Sequence, residues 1–186
     1  MGRFNVISIH KLVQTHIDTP VGKMRIAASD EGICLFDFQY RRSIDSIVSR
    51  IETVGGKKLE EGDHPYFKLL QDQMAEYFAG TRKEFDLPLH LLGTPFQKSV
   101  WEGLLKIPYG ETRSYKQQSI FLGNEKAIRA VASANGENGI AIIIPCHRVI
   151  GTNGSLVGYG GGLQRKKWLL EHEWKYSGKS GQGELF

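Results

Sequence analysis

The chain reads as an α+β protein: an N-terminal antiparallel sheet with helices, then a C-terminal helical, winged-helix-like domain containing a helix-turn-helix. Three observations predict this. Strand-like runs "KLVQTHI", "KMRIAAS" and "ICLFDFQ" open the chain, separated by the turn signals "DTPVG" and "SDEG". Helical spacing follows them. Beyond Gly93, two short helices meet at a tight Gly123-Asn124 turn, and "VIGTNGSLVGY" then resembles a hairpin turning at Asn153-Gly154.

The three strands form an antiparallel meander. "SIDSIVSRIET" and "HPYFKLLQDQMAEYFAG" are helical, the second closed by Gly80, and residues 81–93 read as an extended connector. "TPFQKSVWEGLLKI" is a helix with a Thr94 cap and proline in its first turn. "SYKQQSIFLG" is a short helix, and Asn124 caps "EKAIRAVASAN", which stops at Asn135-Gly136. That helix is rich in alanine, which permits close approach to another surface, and carries Arg129 in its middle. Ile142–Ile144 read as a buried strand ended by Pro145. A last helix, "LQRKKWLLEHEWK", follows three glycines that do not make a phosphate loop, since no GK[ST] follows them. The domains are drawn at 1–92 and 93–176, with a flexible tail over 177–186.

Composition narrows the class. No run approaches the ~20 apolar residues of a membrane helix, and "MGRFNVISIHKL" lacks a signal-peptide core. The expectation is a cytoplasmic protein. Its two cysteines, Cys34 and Cys146, form no CxxC and no paired framework, so both are expected reduced. Cys34, inside "EGICLFDF", reads as a small hydrophobe. No histidine joins a cysteine pair at zinc spacing, so no metal is expected. The net charge of +4 is uneven: 12 Lys/Arg face 7 Asp/Glu from Gly93 onward, leaving 12 against 13 before it. A basic second half fits an anionic partner such as nucleic acid.

The chemistry concentrates at "IIIPCHRVIG", where Cys146, His147 and Arg148 place a soft nucleophile, a titratable base and a permanent cation together. A free thiol is only a few per cent thiolate at neutral pH. Making it half thiolate takes about 2 kcal/mol of differential stabilisation, which an imidazole can supply by taking the proton. A carboxylate behind the imidazole would hold its tautomer. The last helix offers Glu171 and Glu173. At about 100° per residue, Glu173 lies roughly 40° from Leu169 and 60° from Leu170, on the apolar face. Glu171 falls beside Lys167 on the charged face, where a surface pair explains it. A carboxylate on an apolar face needs a partner, so the expected relay is Cys146–His147–Glu173. Adjacent residues in extended chain point apart, so Cys146 and His147 need a bent backbone or a bridging water.

"IPCHRVIG", "VGYGGGLQRKKWLLEHE", "FQKSVWEGLLKIPYGETRSY" and "RAVASANGEN" together resemble the O6-alkylguanine-DNA alkyltransferases, also called methylated-DNA–protein-cysteine methyltransferases. The resemblance runs in order from about Thr94 to Glu173 and is looser before it. It implies a direct-reversal DNA repair protein that takes the alkyl group from O6-alkylguanine, and from O4-alkylthymine, onto Cys146, once per molecule. His147 is then the base reaching the thiol through water, Glu173 its supporting carboxylate, and Tyr115 a donor to guanine N3. Asn138 braces the active-site turn. Val149 and Gly160 offer backbone contacts to the flipped base, and Tyr159 lines its pocket. Arg129 fills the gap left by the extruded nucleotide. Lys116, Asn124, Ala127, Ala130 and Thr152 join Arg129 and Tyr115 on the DNA-facing surface.

The resemblance makes the helix-turn-helix the DNA-binding element, set against the minor groove. The implied partner is double-stranded DNA containing O6-alkylguanine, met by a monomer with no obligate protein partner, no membrane and no cofactor. The chain departs from the family pattern at Gly139, where proline often follows the bracing asparagine. Two other readings compete with it. A non-enzymatic alkyl-lesion sensor would lack the acceptor cysteine and usually the first half. A cysteine hydrolase would need an oxyanion hole and leaves the arginine-bearing helix-turn-helix unexplained.

Overall fold

The structure is a computed structural model that describes residues 11–179. The tail expected over 177–186 is thus described only to Lys179, and the N-terminal stretch scanned for a signal lies almost wholly outside the described residues. β1 (Leu12–Thr19), β2 (Gly22–Ser29) and β3 (Gly32–Phe38) form the expected antiparallel meander. Thr19 pairs with Gly22 and Ser29 with Gly32, so two-residue turns set both registers. α1 (Ile44–Gly55) then crosses to β4 (Leu59–Glu61), which runs parallel to β1 and gives the order β3-β2-β1-β4. The sequence reading missed β4. It is three residues long and two of them are exposed acids, so it shows no alternation to detect.

Each face of the sheet is covered. α1 buries Ile44, Ile47 and Ile51 against Leu12, Ala27, Cys34 and Leu35, at about 1.5–3 kcal/mol per isoleucine. Cys34 is a packing residue there. On the other face α2 (Pro65–Phe78) packs Phe67, Leu70, Met74 and Tyr77 into a larger core. That core continues into α3 (Pro95–Leu104) through Val100, Trp101 and Leu104, and into α6 (Leu163–Tyr176) through Leu169. Thr94 caps α3 with a reciprocal capping box, its hydroxyl accepting from Gln97 N–H.

β3 is an edge strand, and an uncovered edge leaves backbone groups unpaired. Two segments from outside the sheet cover it. The connector docks through Ile33 N–H on Pro88 O (2.8 Å) and His90 N–H on Ile33 O (2.9 Å). Further along, Phe36 N–H donates to Gly139 O (2.8 Å) and Ala141 N–H to Phe36 O (2.7 Å). The sheet edge thereby seats the segment that leads into Cys146.

The helix-turn-helix forms as α4 (Tyr115–Phe121) and α5 (Ile128–Gly136). Asn124 Oδ1 accepts from Lys126 N–H, but the turn it caps, Glu125–Ala127, is 3₁₀. Two expectations are corrected. Ile140 makes an isolated bridge to Phe36, but Ile142–Ile144 are not a strand. They form a buried tight turn with Ile142 at φ 70° and Ile144 N–H on Ile140 O (3.0 Å). Apolar runs report burial, and periodicity does not separate a buried strand from a buried turn. The hairpin after Cys146 is absent too. β6 (Val149–Ile150) pairs parallel with β5 (Arg113–Ser114), and residues 151–162 form a loop. The Asn153-Gly154 turn is present, but Lys166 and Tyr115 take carbonyls that a partner strand would have used.

Gly32 has φ +148°, and a Cβ there would overlap the Pro88 carbonyl, which is backbone and cannot rotate away. Gly32→Ala should therefore lose about 2–3 kcal/mol of stability, read as a lower urea midpoint.

Candidate active site

The site is built around a single asparagine. Asn138 Oδ1 accepts from Ile140 N–H (2.9 Å), while Nδ2 donates to Ile144 O (2.9 Å) and lies 3.2 Å from Cys146 Sγ. One amide thus closes both ends of the turn and touches the thiol, as a bracing role requires. Gly139 is pinned to β3, and a Cβ there would come within 2.9 Å of Ile47 Cγ2, so the position is crowded by α1. A positive φ at a β-branched residue such as Ile142 costs of order 1–3 kcal/mol and persists only where surroundings enforce it.

Cys146, His147 and Arg148 then form one turn of 3₁₀ helix. The bent backbone that the Cys-His pair needed is present, yet it brings no direct hydrogen bond between thiol and ring. His147 Nε2 instead faces Glu173 Oε1 at 2.7 Å, both side chains fully buried, and Nδ1 has no partner among the described residues. Glu171 pairs with Lys167 at the surface (3.7 Å), and Glu173 is the carboxylate that meets His147.

Glu173 is caged by four residues from three other parts of the chain. Oε1 accepts from His147, from Arg148 Nη2 (3.0 Å) and from Tyr77 Oη (2.9 Å). Oε2 accepts from Arg148 Nε (2.8 Å) and Gly110 N–H (3.2 Å). Burial opposes its ionisation, but His147 and Arg148 outweigh burial and hold the carboxyl well below its ordinary range. Burial lowers the His147 pKa, with Glu173 opposing, so the resting ring is neutral with Nε2–H on Glu173 and Nδ1 open to a proton. The thiol departs from the sequence argument. Burial raises the Cys146 pKa, opposed by Asn138 and by the cations of Arg41 and Lys166, so the resting group is a thiol.

Cys146 lines a cavity of about 500 Å³. Tyr115, Arg129, Thr152, Tyr159 and Gly160 line it, and burial raises the Tyr115 hydroxyl pKa. Ala127 and Ala130 lie beside Arg129, with Ala130 exposed. Lys116 pairs with Glu125 (2.8 Å), and Asn124 serves as a cap. Val149 does not line the cavity: it is fully buried and its carbonyl accepts from Lys166 Nζ (2.5 Å).

Several residues escaped sequence reasoning. Lys166 is fully buried and also donates to Val157 O (2.6 Å), so it ties α6 to the loop carrying Tyr159; burial lowers its pKa to about 8. Arg41, after β3, bridges Asp37, Gly136 O and Asn138 O (2.8 Å), locking the end of α5 to the turn. Asn135 lines the cavity with its amide buried and unpartnered among the described residues. Arg148 stood out only as a cation beside the pair. None of these carries a local signal, because each is defined by partners far along the chain. Among the described residues no cluster of His, Cys, Asp or Glu suits a metal ion.

The Glu173 cage carries a pH signature. A carboxyl held below its unfolded value, about 4.3, stabilises the fold above that pH and loses the contribution as pH falls from there toward the folded pKa. Glu173→Gln should be less stable at pH 7 but lose less stability than wild type between about pH 5 and pH 2. Urea unfolding across that range measures both.

Family models described as the 6-O-methylguanine DNA methyltransferase ribonuclease-like domain and DNA binding domain match residues 12–91 and 95–175. A methylated-DNA–protein-cysteine methyltransferase of Methanosarcina acetivorans is 44% identical over 161 residues, covering 84% of this chain and 94% of the relative. The constitutive Bacillus subtilis protein of that name is 44% identical over 161 residues, covering 86% and 93%. A crystal structure of Mycobacterium tuberculosis OGT in complex with DNA superposes with a TM-score of 0.75 at 42% identity, covering 88% of this chain and 94% of that one. With both halves matched in order and the cysteine turn seated between them, the chain belongs to the 6-O-methylguanine DNA methyltransferase family.

Proposed function

We propose that this protein repairs DNA by direct reversal, moving the alkyl group from guanine O6, and from thymine O4, onto Cys146 Sγ. The observation that carries the reading is a buried cysteine lining a cavity of about 500 Å³ with a His147–Glu173 hydrogen bond behind it. Cys146 meets the cavity beside Arg129 and Tyr115, and His147 and Glu173 stand behind it. O6 is tucked into the duplex stack, so the base must be flipped into the protein, at a few kcal/mol. Arg129, exposed on α5, fills the space the nucleotide leaves.

The resting thiol must lose its proton before it attacks. That proton passes through a water to His147 Nδ1, and Glu173 stabilises the imidazolium. Sγ then forms a bond to the alkyl carbon while the carbon–O6 bond breaks, its electron pair leaving with guanine. Tyr115 donates to N3 as that charge builds, and Asn138 holds the sulfur on line. Because burial raises the thiol, the thiolate forms at the reacting base and is scarce in the free protein. A thioether does not hydrolyse readily, so each molecule acts once.

The reading takes residues 1–92 as a supporting domain and 93–176 as the DNA-binding and reacting domain. It makes the protein a cytoplasmic monomer on double-stranded DNA. Among the described residues no helix is long and apolar enough to cross a membrane. Minor-groove docking suits a scanner that ignores sequence, since that groove is poorly coded. Affinity then comes from Lys/Arg contacts to phosphate.

Intact mass after mixing with a duplex carrying one O6-methylguanine tests the proposal. One added methyl on the Cys146 peptide, saturating at one per protein and absent in Cys146→Ser, supports it. Lesion-selective binding without a mass change makes the protein a sensor instead. Arg129→Ala should slow single-turnover transfer by about tenfold or more, equivalent to ~1.4 kcal/mol, while leaving thermal stability unchanged.

A further inference from the structure

Glu173 takes one hydrogen bond from outside the DNA-binding half of the chain. Tyr77, in the last turn of α2, is fully buried, and its hydroxyl donates to Glu173 Oε1 at 2.9 Å. That oxygen is also the one bound to His147. Position is imposed from both ends. The Tyr77 carbonyl accepts from His172 Nε2 (2.8 Å), one residue before Glu173, and the ring is walled by Phe78, Phe85, Tyr109 and His172. At the end of α2, Gly80 leaves room for the Tyr176 ring of α6. Packing alone would be served by phenylalanine. A buried hydroxyl aimed at an already caged carboxylate calls for a further explanation.

We propose that Tyr77 is a positioning residue for alkyl transfer: its hydroxyl holds Glu173 Oε1 in place and draws off part of its basicity, which sets how strongly Glu173 stabilises the His147 imidazolium. The N-terminal half is then part of the reacting apparatus. This rests on the proposed role of His147 as the base for Cys146. The groups facing Glu173 are His147 and Arg148 on the turn, Tyr77 on α2, and Tyr109 and Gly110 N–H before β5. His147 faces Arg148 and Lys166 besides Glu173, and Cys146 faces Arg41, Asp37 and Lys166. The sign follows. Without the Tyr77 hydroxyl, Oε1 keeps more of its charge for His147 and the imidazolium becomes more stable.

The test compares full-length wild type with Tyr77→Phe in two pH profiles. One is single-turnover methyl transfer from an O6-methylguanine duplex. The other is iodoacetamide labelling of Cys146, localised by peptide mass, which needs no DNA. The acid limb of both should move to higher pH by about half a unit, a threefold change in the ionisation equilibrium. Tyr77→Leu, which also lacks the hydroxyl, should shift the labelling profile in the same direction. Profiles that superpose on wild type, or move to lower pH, overturn the proposal even if the urea midpoint falls. Labelling that shifts while wild type transfers no methyl would leave the Tyr77 coupling standing and sink the repair reading instead.

Discussion

A carboxylate removed from water must be surrounded by donors or it will not stay ionised, and that requirement at Glu173 organises this molecule. The cage draws on α2, the segment before β5, the cysteine turn and α6. Arg148 reaches onward to Ile107 O (2.6 Å), so the same ion also anchors the segment after α3. Deleting one member of such a network leaves the others buried and unmatched, which makes it costly to break and geometrically exact in what it presents. What it presents is His147, hydrogen-bonded to Glu173 through Nε2, with its buried Nδ1 left unpartnered among the described residues.

The cysteine turn rests on a second constraint, the free edge of β3. An edge strand has to be covered, and here the covering is done by the connector and by residues 139–141. The N-terminal sheet is therefore a template onto which the active-site turn is laid as an extra strand-like segment. Arg41 completes the seat by taking the carbonyls of Gly136 and Asn138. The chemistry gains a turn held on three sides, with the strained Ile142 inside it and the thiol at its exit. Rigidity of this kind suits the proposed transfer, in which sulfur must lie on line with a carbon.

Most of the α+β layout was legible because it is written locally. The alternating strands, the Thr94 capping box, the Asn124 cap and the Gly80 stop all lie within a few residues of what they control. The Cys146–His147–Glu173 set was half local: the pair is adjacent, and helical periodicity alone placed Glu173 on the buried face. The failures share a cause. Ile142–Ile144 and the expected hairpin rest on pattern alone, and pattern reports which residues are buried without saying how the backbone bonds are satisfied. β4 has too few residues to show a pattern at all.

By itself the sequence determined the β1–β3 meander, the succession of helices, the family resemblance and the proposed nucleophile, because each depends on residue types at fixed spacing. Only the tertiary structure decided which groups surround that nucleophile. Tyr77, Gly110 and Arg148 on Glu173, Lys166 on the pocket loop and Arg41 on the turn are all contacts between distant parts of the chain. The protonation of Cys146 also belongs to the fold. A thiol beside a histidine in sequence suggests a thiolate, but burial of Cys146 and the turning of His147 toward Glu173 leave the resting group protonated. Desolvation is a property of the whole surrounding volume, and no stretch of sequence contains it.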